Sequence, residues 1–358
     1  MDEKYYIWLN LKCVRFKKST YWYWYTNMGK IQRRRPRRGS LQYWPRKRAR
    51  RECPIIKNWP IAKDTKLSGI IGYKAGMSKV SIIDNRKSSP TKGEELSRAV
   101  TIVEVPPVKV FGIRAYSKTG DGLKCIGEAW DSKLSKELGR KIVLPKKSKS
   151  KISDLEKDVE NFSQIRLLVH TQPNLTSIGK KKPEVIEIPI GGSDIKESFE
   201  AAKNLIGTEV KISDVFNEGK YIDVHAVTKG KGFQGVIKRF GVKRKKHKSE
   251  KGVRRVGTLG NWSAITWRVP HPGQMGYHLR TDKNKFLLKI SNPKEEKIVP
   301  SGGFLHYGSV KNDYILLDGS IPGPKKRAIV LTASRTSPSK GLTKVPEIVY
   351  HDLKSQQG

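Results

Sequence analysis

GIIGYKAGMSKVSIID, from Gly69 to Asp84, is the stretch on which the fold turns. Valine, isoleucine and tyrosine recur in it between glycines and small polar residues, the composition of a buried strand and not of a helix. RAVTIVEV (Arg98–Val105) repeats the pattern after a polar loop, and Pro106-Pro107 ends it, because proline cannot donate to a sheet ladder. KVFGIRAYS (Lys109–Ser117) is a third run of the same kind. Two or three neighbouring strands joined by turns predict the start of a β-barrel or sandwich. The pattern returns downstream at VKISDVF (Val210–Phe216), YIDVHAVT (Tyr221–Thr228), KFLLKI (Lys285–Ile290), DYILLDGSI (Asp313–Ile321) and RAIVLT (Arg327–Thr332). The barrel is therefore expected to draw on two separated parts of the chain. Between them, from about Gly120 to Pro183, helical signals take over: Ser153-x-x-Glu156 reads as a capping box, with Leu155, Val159 and Phe162 at helical spacing behind it. IRLLVHTQP from Ile165 reads as a strand and SFEAAKNLI (Ser198–Ile206) as a short helix, which together predict an α/β insertion. No fixed-period repeat is present, so a solenoid is not expected.

Around these runs the chain is dominated by charge. In 358 residues, 73 Lys and Arg stand against 33 Asp and Glu, a formal net charge of +40. Self-repulsion on that scale disfavours a compact free state unless a polyanion neutralises it, which argues against an ordinary metabolic enzyme. Hydrophobic residues make up only 36% of the chain, so part of it should lack a core of its own. No run approaches the ~18 apolar residues of a membrane span. YYIWLNL, before Lys12, is too short for a signal-peptide core, and no lipid anchor or amphipathic membrane helix is visible, so no membrane partner is expected. Cys13, Cys53 and Cys125 are widely spaced and form no C-x-x-C, which fits a reducing cytoplasm and neither a disulfide framework nor a zinc site.

The charge is uneven. Residues 1–27 hold a cluster of aromatics, including YWYWY at Tyr21–Tyr25, with neither helical nor strand periodicity. Such rings can stack on nucleic-acid bases; the reading preferred is that Met28 is the true start and the residues before it are disordered or translated upstream sequence. N-terminal sequencing of the cellular protein is then expected to begin at Met28 or just after it, and an intact mass of 40.6 kDa would refute this. From Met28 to Asn58, Lys30, Arg33, Arg34, Arg35, Arg37, Arg38, Arg46, Lys47, Arg48, Arg50, Arg51 and Lys57 face a single acid, Glu52. This segment can bury little apolar surface and reads as a basic arm that orders on a partner. A second run comprises Lys238, Arg239, Lys243, Arg244, Lys245, Lys246, Lys248, Lys251, Arg254 and Arg255, with Glu250 its only acid. Ten cations in 18 residues would repel one another on a merely solvated face, so counterion release from a phosphate backbone is the better account. GTLGNWSAITWRVPHPGQMGYHLRT (Gly257–Thr281) follows, too polar for a core yet holding Trp262 and Trp267, rings suited to stacking on bases or wedging into RNA, although one of the two is expected to pack on the barrel instead.

Enzymatic signals are thin. Gly230, Gly232 and Gly235 spell G-x-G-x-x-G, but a dinucleotide site needs a helix opening there within a βαβ unit, which is not evident. A glycine-permitted tight turn, with phosphate one candidate for what its backbone approaches, is the preferred reading. The seven histidines form no H-x-x-x-H or H-E-x-x-H; His271 and His278 lack flanking ligands for a metal. No paired carboxylates in an acid/base setting, nucleophile elbow or P-loop is found, so neither catalysis nor any cofactor has a visible carrier. On the residues alone, a nucleic-acid-processing enzyme and a free translation factor remain as alternatives to a structural RNA-binding protein.

Five blocks, PRRGSLQYWPRKRAR (Pro36–Arg50), GYKAGMSKV (Gly72–Val80), VTKGKGFQGVIKRFG (Val227–Gly241), Gly257–Thr281 and GSIPGPKKR (Gly319–Arg327), together resemble the L-three family of large-subunit ribosomal proteins in its archaeal and eukaryotic form. They fall in the family's order and cover the chain from Met28 nearly to its end. The resemblance implies a mainly β fold, a six-stranded barrel of the translation-protein type with an α/β insertion, a basic N-terminal arm and a long central finger. On this reading residues 28–60 are the arm, 61–115 the first part of the barrel, 116–200 the insertion and 201–350 the second part, with the finger at 236–284. It implies a non-enzymatic, cytoplasmic ribosomal protein that binds large-subunit (23S-type) rRNA and neighbouring ribosomal proteins, takes no small-molecule substrate, and assists early assembly. The finger would reach toward the peptidyl-transferase centre, with Trp262 at its tip and Lys243–Arg255 as its basic stem. The rRNA-contacting set then comprises Arg33, Arg34, Arg35, Arg37, Arg38, Arg46, Lys47, Arg48 and Arg50 of the arm; Lys229, Lys231 and the ten cations of the run Lys238–Arg255; and Trp262, Trp267, Arg268, His271, Gln274, His278 and Arg280. Where eukaryotic members commonly carry a histidine in a K-T-H-R-G-like stretch, this chain reads KSEKG with Glu250. A role tied to that histidine has no carrier here.

Overall fold

The computed structural model describes residues 37–60, 62, 64–86, 88–145, 152–249, 251–257, 259, 261, 264, 269–336, 338, 341–342 and 344–355. They fall into two compact units: Phe233–Gly273 with the described residues up to Pro45, and Arg46–Gly232 with the chain from Gln274 onward. The segment read as one arm therefore divides between them at Pro45.

In chain order the strands are β1 (Gly69–Ile83), β2 (Glu95–Glu104), β3 (Val108–Thr119), β4 (Gly122–Trp130), β5 (Gln164–His170), β6 (Val185–Pro189), β7 (Glu209–Val210), β8 (Tyr221–Val227), β9 (Phe233–Gln234), β10 (Gly273–Gln274), β11 (Leu279–Ser291), β12 (Tyr314–Asp318), β13 (Ala328–Ala333) and β14 (Ile348–His351). The helices are α1 (Ile152–Glu156), α2 (Ile195–Leu205), α3 (Ile212–Val215) and α4 (Val236–Phe240).

In the larger unit six strands pair in a closed antiparallel circuit, β1–β2–β12–β11–β8–β13 and back to β1, while β14 joins the far end of β1. The alternating apolar residues read from the sequence face inward: Ile222, Val224 and Ala226 of β8, Leu287 of β11, Leu317 of β12 and Ile329 of β13 are fully buried. Each valine, leucine or isoleucine among them contributes roughly 1.5–3 kcal/mol when removed from water. The circuit closes where Gly69 lies opposite Thr332. A Cβ on Gly69 would stand 2.4 Å from the Leu331 carbonyl oxygen, so the two backbones meet there only because the residue is glycine. The last residue of β2, Glu104, is a fully buried carboxylate. It accepts the Lys311 and Asn312 N–H groups at 2.9 Å, the Asn312 side-chain amide at 2.8 Å and the Tyr307 hydroxyl, pinning the loop before β12.

A second, five-stranded antiparallel sheet has the order β4-β3-β5-β6, with β7 on the end of β3, and shares one apolar core with the circuit. Several expectations are corrected here. The run at Lys109–Ser117 is a strand, but it pairs with β4, β5 and β7 and not with β1 or β2. Pro106 and Pro107, lacking N–H groups, break the ladder, and the chain leaves the circuit at that point. Gly122–Trp130, inside the stretch read as helical, is a strand joined to β3 by a tight hairpin at Gly120-Asp121. Ser153 lies within α1 and not at its N-cap, although Leu155 and Phe162 are buried as their spacing implied. Of VKISDVF only Val210 is strand; Asp214 accepts the Lys211 N–H at 2.9 Å and the segment winds into the single turn of α3. Leu279–Asn284, counted with the finger, are the first half of β11 and pair along β8.

Candidate RNA-binding surface

Each unit carries part of the basic set. In the smaller one, α4 starts after Gly235, so a helix does open at the G-x-G-x-x-G motif, but it runs only five residues. It follows an antiparallel strand, β8, and so no βαβ crossover for a dinucleotide exists there. Phe240, buried on α4, packs 6.4 Å from the Trp44 ring, and the Arg239 guanidinium lies 5.1 Å from the Phe240 ring centroid. Arg239 also donates to the His271 carbonyl at 2.7 Å. The expected phosphate ligand Arg239 is thus a stem-organising residue as well. Further along, the Lys245 N–H donates to the Val253 carbonyl at 3.1 Å, which folds Lys243–Arg255 back on itself around the turn at His247–Ser249. Arg37, Arg38, Lys238, Lys243, Arg244, Lys246, Lys248, Lys251, Arg254 and Arg255 are exposed, and Lys245 and His271 are half-buried. Arg33, Arg34, Arg35, Trp262, Trp267 and Arg268 lie outside the described residues, as does Glu250.

In the larger unit the two strands β8 and β11 extend beyond the circuit as a tight ribbon. Thr228 donates to the His278 carbonyl at 2.9 Å, Lys231 to Met275 at 2.9 Å and Met275 to Gly232 at 2.9 Å. Gly276 (φ +75°) and Tyr277 (φ +53°) are both left-handed, and a Cβ on Gly276 would lie 2.1 Å from the Lys229 carbonyl oxygen. Gly276→Ala is accordingly expected to cost about 2 kcal/mol or more from left-handed strain and this clash, read as a fall in urea midpoint. The Gln274 amide turns onto its own loop, donating to the Gly276 carbonyl at 3.1 Å. His278, read from the sequence as an RNA contact, is buried: its Nδ1 lies 2.9 Å from the Lys47 carbonyl. With the Ala49 N–H on the Tyr277 carbonyl at 2.8 Å, it holds residues 47–49 along the ribbon. Lys47, Arg48, Arg50, Lys229 and Lys231 are exposed beside it, and Arg46 and Arg280 are half-buried.

Sequence reasoning missed two residues here. Arg327 stacks over Tyr277 at 5.2 Å. Lys74 is buried and donates to the carbonyls of Ile321 at 2.7 Å and Gly323 at 3.3 Å, its pKa lowered by burial and then by nearby Lys325. Lys74 and Arg327 sit within two of the quoted blocks; Lys74, between Tyr73 and Ala75, offers the signal of a cation among apolar residues, whereas Arg327 ends the basic run Lys325-Lys326-Arg327 and is not set apart by its neighbours.

Pairing separates the two kinds of basic residue. In the second sheet and its flanking loops, Arg114 pairs with Glu128 and Glu187, Arg166 with Glu187, and Lys141 and Lys180 with Glu184. By contrast Arg38, Lys47, Arg48, Arg50, Lys229, Lys238, Lys243, Arg244, Lys248, Lys251, Arg254 and Arg255 make no ion pair among the described residues. No group of three or more His, Cys, Asp or Glu side chains among the described residues is placed to hold a metal ion, and no described helix is long and apolar enough to cross a membrane. What the surface offers chemically is positive charge and hydrogen-bond donors presented on short, glycine-bent ribbons.

A family model described as ribosomal protein L3 matches residues 28–358. The chain is 49% identical over 331 residues to the large ribosomal subunit protein uL3 of Methanocaldococcus jannaschii, covering 90% of this chain and 98% of that relative. It is 47% identical to the protein of the same name from Methanobrevibacter smithii over 336 residues, 92% of this chain and 99% of the relative, and 45% identical to that of Methanopyrus kandleri over 345 residues, 92% and 94%.

Proposed function

Since the chain belongs to the ribosomal protein L3 family, a family of structural proteins and not of enzymes, we propose that it is anchored in the large ribosomal subunit by direct contact with 23S-type rRNA. The observation that carries this is the set of twelve exposed cations, from Arg38 to Arg50, at Lys229 and from Lys238 to Arg255, that make no ion pair among the described residues. A dozen such side chains are available to neutralise phosphates, and each contact releases condensed counterions from the RNA. The closed six-strand circuit serves as a barrel of the translation-protein type, and the second sheet is the insertion. Residues 28–60 act as the arm, and the stem carries the finger toward the peptidyl-transferase centre with Trp262 at its tip. The protein supports early assembly by letting RNA segments pack closely around its cations, beside neighbouring ribosomal proteins in the cytoplasm. Fractionation tests it: the protein should remain with large subunits through a high-salt wash that strips loosely held factors, and release into the supernatant would overturn the reading.

A further inference from the structure

A cavity of about 310 Å³ opens on the larger unit, between residues 55–58 and the β8, β11 and β13 side of the strand circuit. Odd-numbered residues of β8 point away from the circuit's interior, opposite to Ile222, Val224 and Ala226, and so bring Asp223 and His225 to the cavity. Its size is at the lower end for small-molecule pockets, room for one base and its sugar. Asp223 is 4% exposed and makes no ion pair among the described residues. One of its oxygens accepts the Asn284 N–H at 2.9 Å, while an ionised carboxylate offers about four acceptor sites. A carboxylate so buried is costly unless further donors reach it.

The neighbouring groups are of the same recognition type. His225 stands between the Thr281 hydroxyl, 2.9 Å from Nδ1, and the Thr332 hydroxyl, 3.1 Å from Nε2. Burial pushes its pKa down to about 4, so the ring is neutral at physiological pH. A neutral imidazole donates through one nitrogen and accepts through the other, so the threonine that receives its N–H keeps a hydroxyl hydrogen for a guest. Ile55, Ile56 and Leu279 supply apolar wall for the faces of a ring, Lys57 and Lys283 stand exposed at the rim, and Arg335 holds the Asn58 carbonyl.

We propose that this cavity receives one guanine base extruded from the RNA, its N1–H and N2–H donors on Asp223 and its flanking phosphates on Lys57 and Lys283. Guanine is the base whose pairing edge presents two adjacent N–H donors to a carboxylate, and sequence-specific RNA recognition uses such splayed bases. The rim cations disfavour the other donor-rich guest, a lysine or arginine from a neighbouring protein. The inference rests on the rRNA-binding reading above.

The test is a kethoxal footprint of the full chain bound to protein-free large-subunit rRNA, since kethoxal modifies N1 and N2 of unpaired guanines. One unpaired guanine should be protected by the wild-type chain and regain reactivity by about fivefold or more with Asp223→Asn and with Thr281→Val, the second being an exposed strand position that leaves the carboxylate in place. Protection elsewhere should be unchanged. If those other protections persist and no guanine responds to either variant, the pocket assignment fails while RNA binding stands. Absence of every protection overturns the rRNA reading itself. A response that appears only after other subunit proteins are added assigns the cavity to a protein neighbour and overturns the proposal too.

Discussion

Replacing Lys243, Arg244, Lys248, Lys251 and Arg254 together by alanine is expected to flatten the salt dependence of rRNA binding by about 3.5–4.5 in the slope of log K against log salt, at roughly 0.7–0.9 per phosphate contact. Raising the salt from 50 to 200 mM would then cost the wild-type chain about 100- to 500-fold more affinity than it costs the variant. Filter binding across that range measures both slopes. The five side chains are exposed and make no ion pair among the described residues, so their removal disturbs no described carboxylate. The fold of the circuit, which contains none of them, should keep its urea midpoint. An unchanged slope would mean that the run is solvated and touches no phosphate.

Glu104→Leu should have the largest effect on stability. Leucine matches the shape of the site but strands the Tyr307 hydroxyl and the Lys311 and Asn312 N–H groups, while the Asn312 side chain keeps the Leu175 carbonyl at 3.1 Å. Unpaired buried donors cost about 1–3 kcal/mol each, so a loss of about 4 kcal/mol is expected, a large share of the 5–15 kcal/mol typical of a domain. Glu104→Gln separates charge from hydrogen bonding. Burial first, and then the Glu104 charge, push the Tyr307 pKa far up, so the phenol is protonated and donates. Facing the introduced side-chain amide, it can rotate and accept, while the remaining oxygen keeps both backbone donors; the cost should fall to about 1–2 kcal/mol. Urea midpoints at unchanged m-value read both variants. Equal losses for the two would show that the charge itself, and not the donor count, holds this loop.

Which parts were legible in the sequence follows from what periodicity can and cannot encode. β1, β2, β8, β11, β12 and β13 were all marked by β-branched runs, because burial inside the circuit demands them at alternate positions. β3 was marked equally well, yet its apolar pattern states only that it is buried; which strands it pairs with is decided by the break at Pro106-Pro107 and by β4 and β5 beyond it. β4 was invisible because GLKCIGEAW carries an exposed run on an edge strand, with two glycines and no clean alternation. α3 was misread because a local side-chain bond from Asp214 overrides the β propensity of its isoleucine and valine. The two basic runs, Met28–Asn58 and Lys238–Arg255, are visible by counting charges, which needs no geometry. His278 and Arg239 look like surface ligands in a charge count and prove to be parts of the scaffold, because their partners, the carbonyls of Lys47 and His271, are backbone atoms that no sequence pattern displays.

The pairing of β1 with β13 also sets a timetable for folding. β1 and β2 leave the ribosome roughly 220 residues ahead of the strand that completes their circuit, a delay on the order of 10–45 s at ordinary elongation rates. During that interval their hairpin has open edges, the kind of surface on which chains associate wrongly. The second sheet suffers no such delay. β3 to β7 are contiguous in the sequence, so this sheet can consolidate first and cover one side of the waiting hairpin through their common core. An inserted segment placed between the two halves of a barrel thereby becomes the chaperone of the half already made.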